Sequence, residues 1–387
     1  VSNMLSNRNI KLVYNIYILA RLEAGIEQDP GVGDLGGVVV GSVGGGNGCI
    51  YGIPCYANRV VEFNPSTGTT RQFGQDLGDS LTKWWGGVLG IDGYVYGCPY
   101  NADTILKIDL SDESVTEVDI PPRIQEGLEK YQSAVVHPSN GNIYFIPNCA
   151  KQILVYNTTT KKCHCIEDTL KGDGKWDGGC YSKLDDSIYF VPARHEKVLK
   201  LSASDESIQL IGDDYEGDDK WISCCPSPDG TYIYCSPSSA SSFLKIDVRN
   251  GTTSLVGQVK EKDRGWGGCI LHMINDNGYM FVSPNTADRI VLFNMQNETC
   301  QEIGPSIYGD YIHPSISSDN NIYAIPYYTT KKILKIDISS LESAVLPLIE
   351  GNTQVFEETI ENNTWIAKCI PEPAFDQQVA PLVQSHV

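Results

Sequence analysis

The chain has 387 residues and a formal net charge of −19, from 48 acidic against 29 basic side chains. Such a balance repels phosphate backbones, which argues against a nucleic-acid-binding role, and it suits solubility or attraction to basic partners. The best apolar run, residues 12–20, is interrupted by Asn15 and falls far short of the roughly 18 apolar residues of a membrane span, so no span is expected.

Residues 1–32 read as an N-terminal extension, in which 11–19 suits one strand or one short helix. From residue 33 the chain repeats. Pro54, Pro99, Pro147, Pro192, Pro237, Pro284 and Pro326 each follow an aromatic by three residues, at steps of 42 to 48 residues. A period of this size marks a propeller or solenoid. Each unit opens with an apolar run (86–90), then an Asp/Asn/Gly turn (91–93, 138–141, 228–230) and the aromatic-x-x-Pro strand (143–147). A polar loop leads to a third strand (105–109, 243–247, 333–337), a second turn (65–68, 249–251) and a fourth strand (114–118). Alternating β-branched and aromatic residues suit a pleated, half-buried surface. Proline cannot donate to a ladder, so it belongs at a strand end.

Four short strands in about 45 residues make a propeller blade. The expected fold is therefore all-β: a seven-bladed β-propeller of four-stranded antiparallel blades over 33–350, with short N- and C-terminal extensions at 1–32 and 351–387. The blades fall at about 33–80, 81–127, 128–172, 173–217, 218–261, 262–307 and 308–350. Each holds its own four strands, so ring closure need not use the extensions.

The 13 cysteines are odd in number and scattered, which favours an intracellular place, cytosol or organelle matrix, over secretion. Cys180, Cys225 and Cys269 read as the same blade position, where a small apolar packer is wanted. Cys163-His164-Cys165 and Cys224-Cys225 lack zinc-site spacing, and there is no CxxC, so neither metal nor cofactor is expected. The six histidines fall at different blade positions, and no HExxH, Gly-x-Ser-x-Gly or phosphate-binding loop occurs. No catalytic residue is nominated, and the enzyme question stays open, leaning to no.

One repeated feature has the chemistry of a site. Aligned on the Gly-Gly-Val position, five blades carry a cation before the first strand: Lys83, Lys130, Lys175, Lys220 and Arg264. Aromatics follow them at Trp84, Trp85, Tyr131, Trp176, Trp221 and Trp266, while Gly265 holds the blade-6 place beside Trp84 and Asp310 the blade-7 place of the cations. Interblade links run across one face toward the axis, so these residues would form a basic, aromatic collar at one mouth. A collar of that kind binds an anion, a carboxylate-bearing peptide or a stacked sugar. The competing reading is packing: the indoles wedge between blades, and the lysines pair with Glu129, Asp173, Asp218, Asp219 and Asp263.

The unit running from Gly86-Gly87-Val88 through Asp92 to Asp109 resembles the repeats of NHL, streptogramin-lyase-like and YVTN propellers, with a Gly-Gly doublet similar to kelch repeats. It is more similar still to "GGVLAPNGKIYGIP"-type repeat proteins of bacteria and algae. The resemblance covers about 33–350 and implies the fold. Its lyase-like members imply a metal-assisted His/Glu site, and no such pair maps onto this chain. The reading that follows is a non-catalytic protein-binding or scaffold propeller, a subunit of a larger assembly that meets other subunits through 1–32 and 351–387. The alternative is a small-ligand or carbohydrate-binding propeller using the collar; a lyase or hydrolase with a channel site comes third.

Overall fold

The computed structural model describes residues 39–166, 170–259, 265–307, 309–327, 332–338, 355–361 and 364–370. The N-terminal extension at 1–32 and Arg264 lie outside them. The chain divides into two units, Val1–Gly33 and Asp34–Val387, and every described residue belongs to the second.

Seven sheets are present, and the repeat period is their period. Blade 4 shows the pattern: an inner strand Trp176–Ser182, then Ser187–Pro192, Val198–Ser202 and an outer strand Ile208–Ile211, each antiparallel to the one before. The inner strands of the other five four-stranded blades are Val39–Gly44, Trp84–Leu89, Tyr131–Val136, Trp221–Pro226 and Trp266–Ile274. Blade 7 has three antiparallel strands, Ser315–Ile316, Ile322–Ala324 and Ile333–Ile336. Its sheet continues with a hairpin from beyond residue 350: Thr364–Ile370 lies parallel to the third strand, and Val355–Glu361 pairs outside it. Among the described residues the only named helical segment is the 3-10 turn Pro122–Ile124, and no helix is long and apolar enough to cross a membrane.

Each blade buries its faces against its neighbours, as a four-stranded blade without covering helices must. One apolar cluster fills each interface: Tyr51, Ile53, Trp84 and Leu106 between blades 1 and 2, Tyr144, Ile146, Trp176 and Phe190 between blades 3 and 4, and Val39, Phe63, Tyr323 and Ile325 between blades 7 and 1. Near the axis the backbones crowd. A Cβ added to Gly178 would strike the carbonyl oxygen of Ile222 in blade 5, and one on Gly86 would lie 2.7 Å from the carbonyl of Gln132 in blade 3.

The seam between the last and first blades is closed by polar contacts. Ser42 donates its N–H to the carbonyl of His313 at 3.1 Å, and its hydroxyl accepts from the Ile325 N–H at 2.8 Å. Ser315 Oγ donates back to the Ser42 carbonyl, and Ser317 Oγ donates to the Gly48 carbonyl at 2.8 Å. Ser42→Ala leaves the buried Ile325 N–H without its acceptor and should cost about 1–2 kcal/mol. Urea unfolding followed by circular dichroism measures this; a variant as stable as wild type would show that the seam does not depend on that hydroxyl.

Candidate functional site

The blade entrance is built from three consecutive positions. The strand-ending proline pairs with the first inner-strand residue: Trp84 with Pro99, Tyr131 with Pro147, Trp176 with Pro192, Trp221 with Pro237, Trp266 with Pro284. Blade 7 repeats this as a bridge between Tyr311 and Pro326. The N–H after each proline then donates to the carbonyl one residue before the aromatic: Tyr100 to Lys83, Asn148 to Lys130, Ala193 to Lys175, Ser238 to Lys220, Asn285 to Gly265 and Tyr327 to Asp310. These bonds set the alignment. Trp266 is the equivalent of Trp84, and Gly265 stands where blades 2 to 5 have lysine. The Gly-Gly-Val alignment is therefore one residue out in blade 6.

The aromatic side chains are fixed inside their own blades. Trp84, Trp176 and Trp221 donate their indole N–H to the carbonyls of Thr104 (2.7 Å), Lys197 (3.0 Å) and Ser242 (2.8 Å). The hydroxyls of Tyr131 and Tyr311 do the same to Gln152 and Lys332. Trp266 Nε1 has no partner among the described residues.

The four lysines are buried, with at most 5% of their surface exposed. Lys175 Nζ donates to the carbonyls of Asn148 (2.9 Å), Ala150 (2.8 Å) and Gly172 (3.0 Å). Lys220 Nζ repeats this on Ala193 (2.8 Å), His195 (3.2 Å) and Gly217 (3.0 Å). Lys130 Nζ meets the carbonyls of Asn101, Gln125 and Gly127, with the Asp103 carboxylate at 3.5 Å, and Lys83 Nζ those of Gly78 and Ser80. Each ammonium thus gathers carbonyls of its own linker, and in blades 3 to 5 also those of the preceding blade's loop. The residue before each lysine is left-handed, at Thr82, Glu129, Gly174 and Asp219 (φ 51°, 58°, 65° and 48°). Burial lowers the pKa of all four, that of Lys175 and Lys220 to about 8.

These cations are consumed by the frame and do not line an open mouth. Their partners are mainly backbone oxygens; of the acids expected beside them, Asp219 pairs with Arg194 at 3.1 Å. What the entrance does present is Trp85. It packs between Tyr100 of its own blade and Tyr327 of blade 7, with ring centroids 5.0 Å apart in both cases, and Tyr56 lies in the same cluster. Tyr100 bonds in turn to Gln132, whose amide, with its nitrogen toward Asp177, donates to that carboxylate at 2.8 Å. The linker face therefore has an aromatic sector at blades 7, 1 and 2 and a polar sector at blades 3 and 4.

His313 is a residue that sequence reasoning passed over. It stands two places after the entrance aromatic, where the other blades have Gly41, Gly86, Ser133, Gly178, Ser223 and Gly268. The pattern of that position alone singles it out. Its backbone is left-handed (φ 56°), its ring lies beside Gly41 and Gly86, and Nε2 is inaccessible and unpartnered among the described residues. Burial pushes its pKa down to about 4.

No family model matches the chain, and no curated protein matches it in sequence. Solved structures do match in shape. A streptogramin B lyase is 13% identical with a TM-score of 0.63, over 76% of this chain and 93% of its own. Virginiamycin B lyase from Staphylococcus aureus, solved with quinupristin, is 14% identical at 0.63, over 78% and 95%. A chain of the mitotic checkpoint complex is 10% identical at 0.55, over 76% and 89%. The chain is a seven-bladed β-propeller. It shares the fold of these lyases, and identities this low show the fold alone.

Two outcomes follow from this geometry. Lys175→Met takes the ammonium donor from three carbonyls, of which that of Asn148 keeps the Lys175 backbone N–H, and should cost about 2–3 kcal/mol in urea unfolding, whereas Lys171→Met, on the exposed part of the same linker, should cost nothing measurable. Equal stabilities would refute the clamp. For His313, the folded pKa lies below the ordinary value of about 6.5, so between pH 6.5 and 4 the unfolded chain takes up a proton that the folded protein refuses. Stability is lost as pH falls through that window, by about 2 kcal/mol from this group. His313→Asn tolerates the left-handed backbone and does not titrate, so its unfolding free energy should fall less than that of wild type between pH 7 and 4. Parallel losses would remove His313 as the cause.

Proposed function

We propose that this propeller is a non-catalytic protein-binding platform, a subunit of a larger assembly, whose contact surface is the linker face at blades 2 and 3. One observation carries the reading. Leu81 and Leu128 are 60% and 68% exposed on the two linkers that carry the clamps of Lys83 and Lys130. Asn101 ties these linkers together: its Nδ2 donates to Thr82 Oγ1 and its Oδ1 accepts the Glu129 N–H. The two leucines thus sit on rigid supports, on linkers tied through Asn101 next to Tyr100, and Trp85 is partly exposed just after the first of these linkers. Rigid apolar anchors ringed by polar groups are the anatomy of an interface centre.

The surroundings choose the partner's chemistry. Asp76, Asp79 and Glu126 are exposed on the same linkers, and the whole chain carries −19. A basic partner with apolar anchors fits both features. Residues 1–32 and 351–387 remain the second place where neighbouring subunits are expected to bind. Of the likenesses in fold, the checkpoint-complex chain accords with a platform and the lyases with an enzyme, so the surface bears the weight.

A partner recovered with the full chain should bind the purified protein stoichiometrically, and more weakly as salt rises. The double variant Leu81→Asp, Leu128→Asp should bind it at least about tenfold more weakly with an unchanged unfolding midpoint. Undiminished binding by the variant would move the interface elsewhere, and a wild-type chain that captures no stoichiometric partner would remove the platform reading.

A further inference from the structure

Five thiols from three blades converge near the axis: Cys180 of blade 4, Cys224, Cys225 and Cys235 of blade 5, and Cys269 of blade 6. Their arrangement comes from register. Cys180 lies opposite Tyr189 and Cys225 opposite Tyr234, which are equivalent positions. Cys269 lies opposite Val282, one step earlier, and Ile270 takes the place opposite Phe281. Side chains alternate along a strand, so that one step turns Cys269 to the other face. Cys225 belongs to the apolar cluster between blades 5 and 6, and Cys269 packs on the same cluster. Their sulfurs stand 3.7 Å apart.

We propose that Cys225 and Cys269 are a redox modification site, closing to an inter-blade disulfide with a low-molecular-weight disulfide as the oxidant. The sulfurs must approach by less than 2 Å to reach the bonded distance of about 2.05 Å. The two thiols have unequal roles. Burial raises the Cys269 thiol, but hydrogen bonds from Cys225, Ser223 and Ser236 outweigh it and bring its pKa below the ordinary thiol value. Cys225 is raised well above that value, by its bond to Cys269 and by burial. Cys269 is also partly exposed, whereas Cys225 is 7% exposed.

Cys269 is therefore the attacking thiolate. It displaces one thiolate from the oxidant and forms a mixed disulfide. Cys225 then loses its proton, attacks Cys269 Sγ and expels the second thiolate. The balance is two protein thiols and one oxidant disulfide giving one cystine and two small thiols, with two electrons passing to the oxidant. The product ties the inner strands of blades 5 and 6.

The test incubates the full chain in a series of oxidised to reduced glutathione ratios, quenches it by alkylation and maps the peptides by mass spectrometry. A linked peptide holding Cys225 and Cys269 is expected, with a raised unfolding midpoint that a phosphine reductant reverses. Cys269→Ser and Cys225→Ser should each abolish the link, and either variant suffices if the other does not fold. A glutathione adduct on Cys269 that never resolves would overturn the proposal. So would thiols at both positions while Cys300, or the neighbouring Cys180 and Cys224, oxidise.

Discussion

An ammonium group placed inside a β-protein is expensive, because desolvation of the charge must be repaid by well-placed acceptors. Here the acceptors are loop carbonyls, two of which, those of Asn148 and Ala193, also accept the backbone N–H of the lysine itself. In blades 3 to 5 the link into the blade and the loop leaving the preceding blade's second strand both present oxygens to the same buried point. Lysine fits that point because its three donors radiate from one compact, rotatable head, whereas the planar fork of arginine suits a carboxylate. The interaction works in both directions. Without the lysine, the carbonyls lose a shared donor; without the carbonyls, a buried charge is stranded. The linker, the preceding blade and the inner strand are therefore held as one unit, and the indole or phenol at the next position carries the tie to the third strand.

The clamp does not go round the whole ring. It is present at the entrances of blades 2 to 5, whereas blade 6 has Gly265 and blade 7 has Asp310 at the same place. Where it is missing, other contacts hold the seam. Ser42, Ser315 and Ser317 bridge blades 7 and 1, and the hairpin beyond residue 350 extends the seventh sheet. His313 occupies the crowded axial position that four other blades leave to glycine, and it keeps a left-handed backbone there. The half of the ring without clamps is thus where the chain departs from its own repeat.

The fold was legible because it depends on periodicity. Six of the seven prolines end a second strand and pair with the residue that opens the inner strand, and Pro326 keeps the pairing as an isolated bridge to Tyr311. The collar was legible as a set of positions and not as directions. A lysine before a strand can point to solvent or fold back, and what turns it inward is the left-handed residue just before it. That residue is Thr, Glu, Gly or Asp in turn, so its type gives no warning. The blade-6 slip has a different source. Its inner strand and the next are long, nine and eight residues, and its two glycines follow the tryptophan directly, so alignment on glycine moves everything by one. Alignment on proline avoids the error, and it also brings Cys269 out of step with Cys225.

Repetition and function pull apart in a molecule built this way. Features shared by most blades answer to the frame, and the clamp is the clearest case: a cation at each of four entrances, none of it offered to a ligand. Removing those charges from the mouth changes the electrostatics that a partner meets. With the lysine heads buried among carbonyl oxygens, the exposed surface of these linkers presents the carboxylates Asp76, Asp79 and Glu126 and no lysine head. An anion would find no cation among the lysines once assigned to it. A basic surface would find carboxylates and two exposed leucines on the same linkers, which is the combination that rewards both steering and burial.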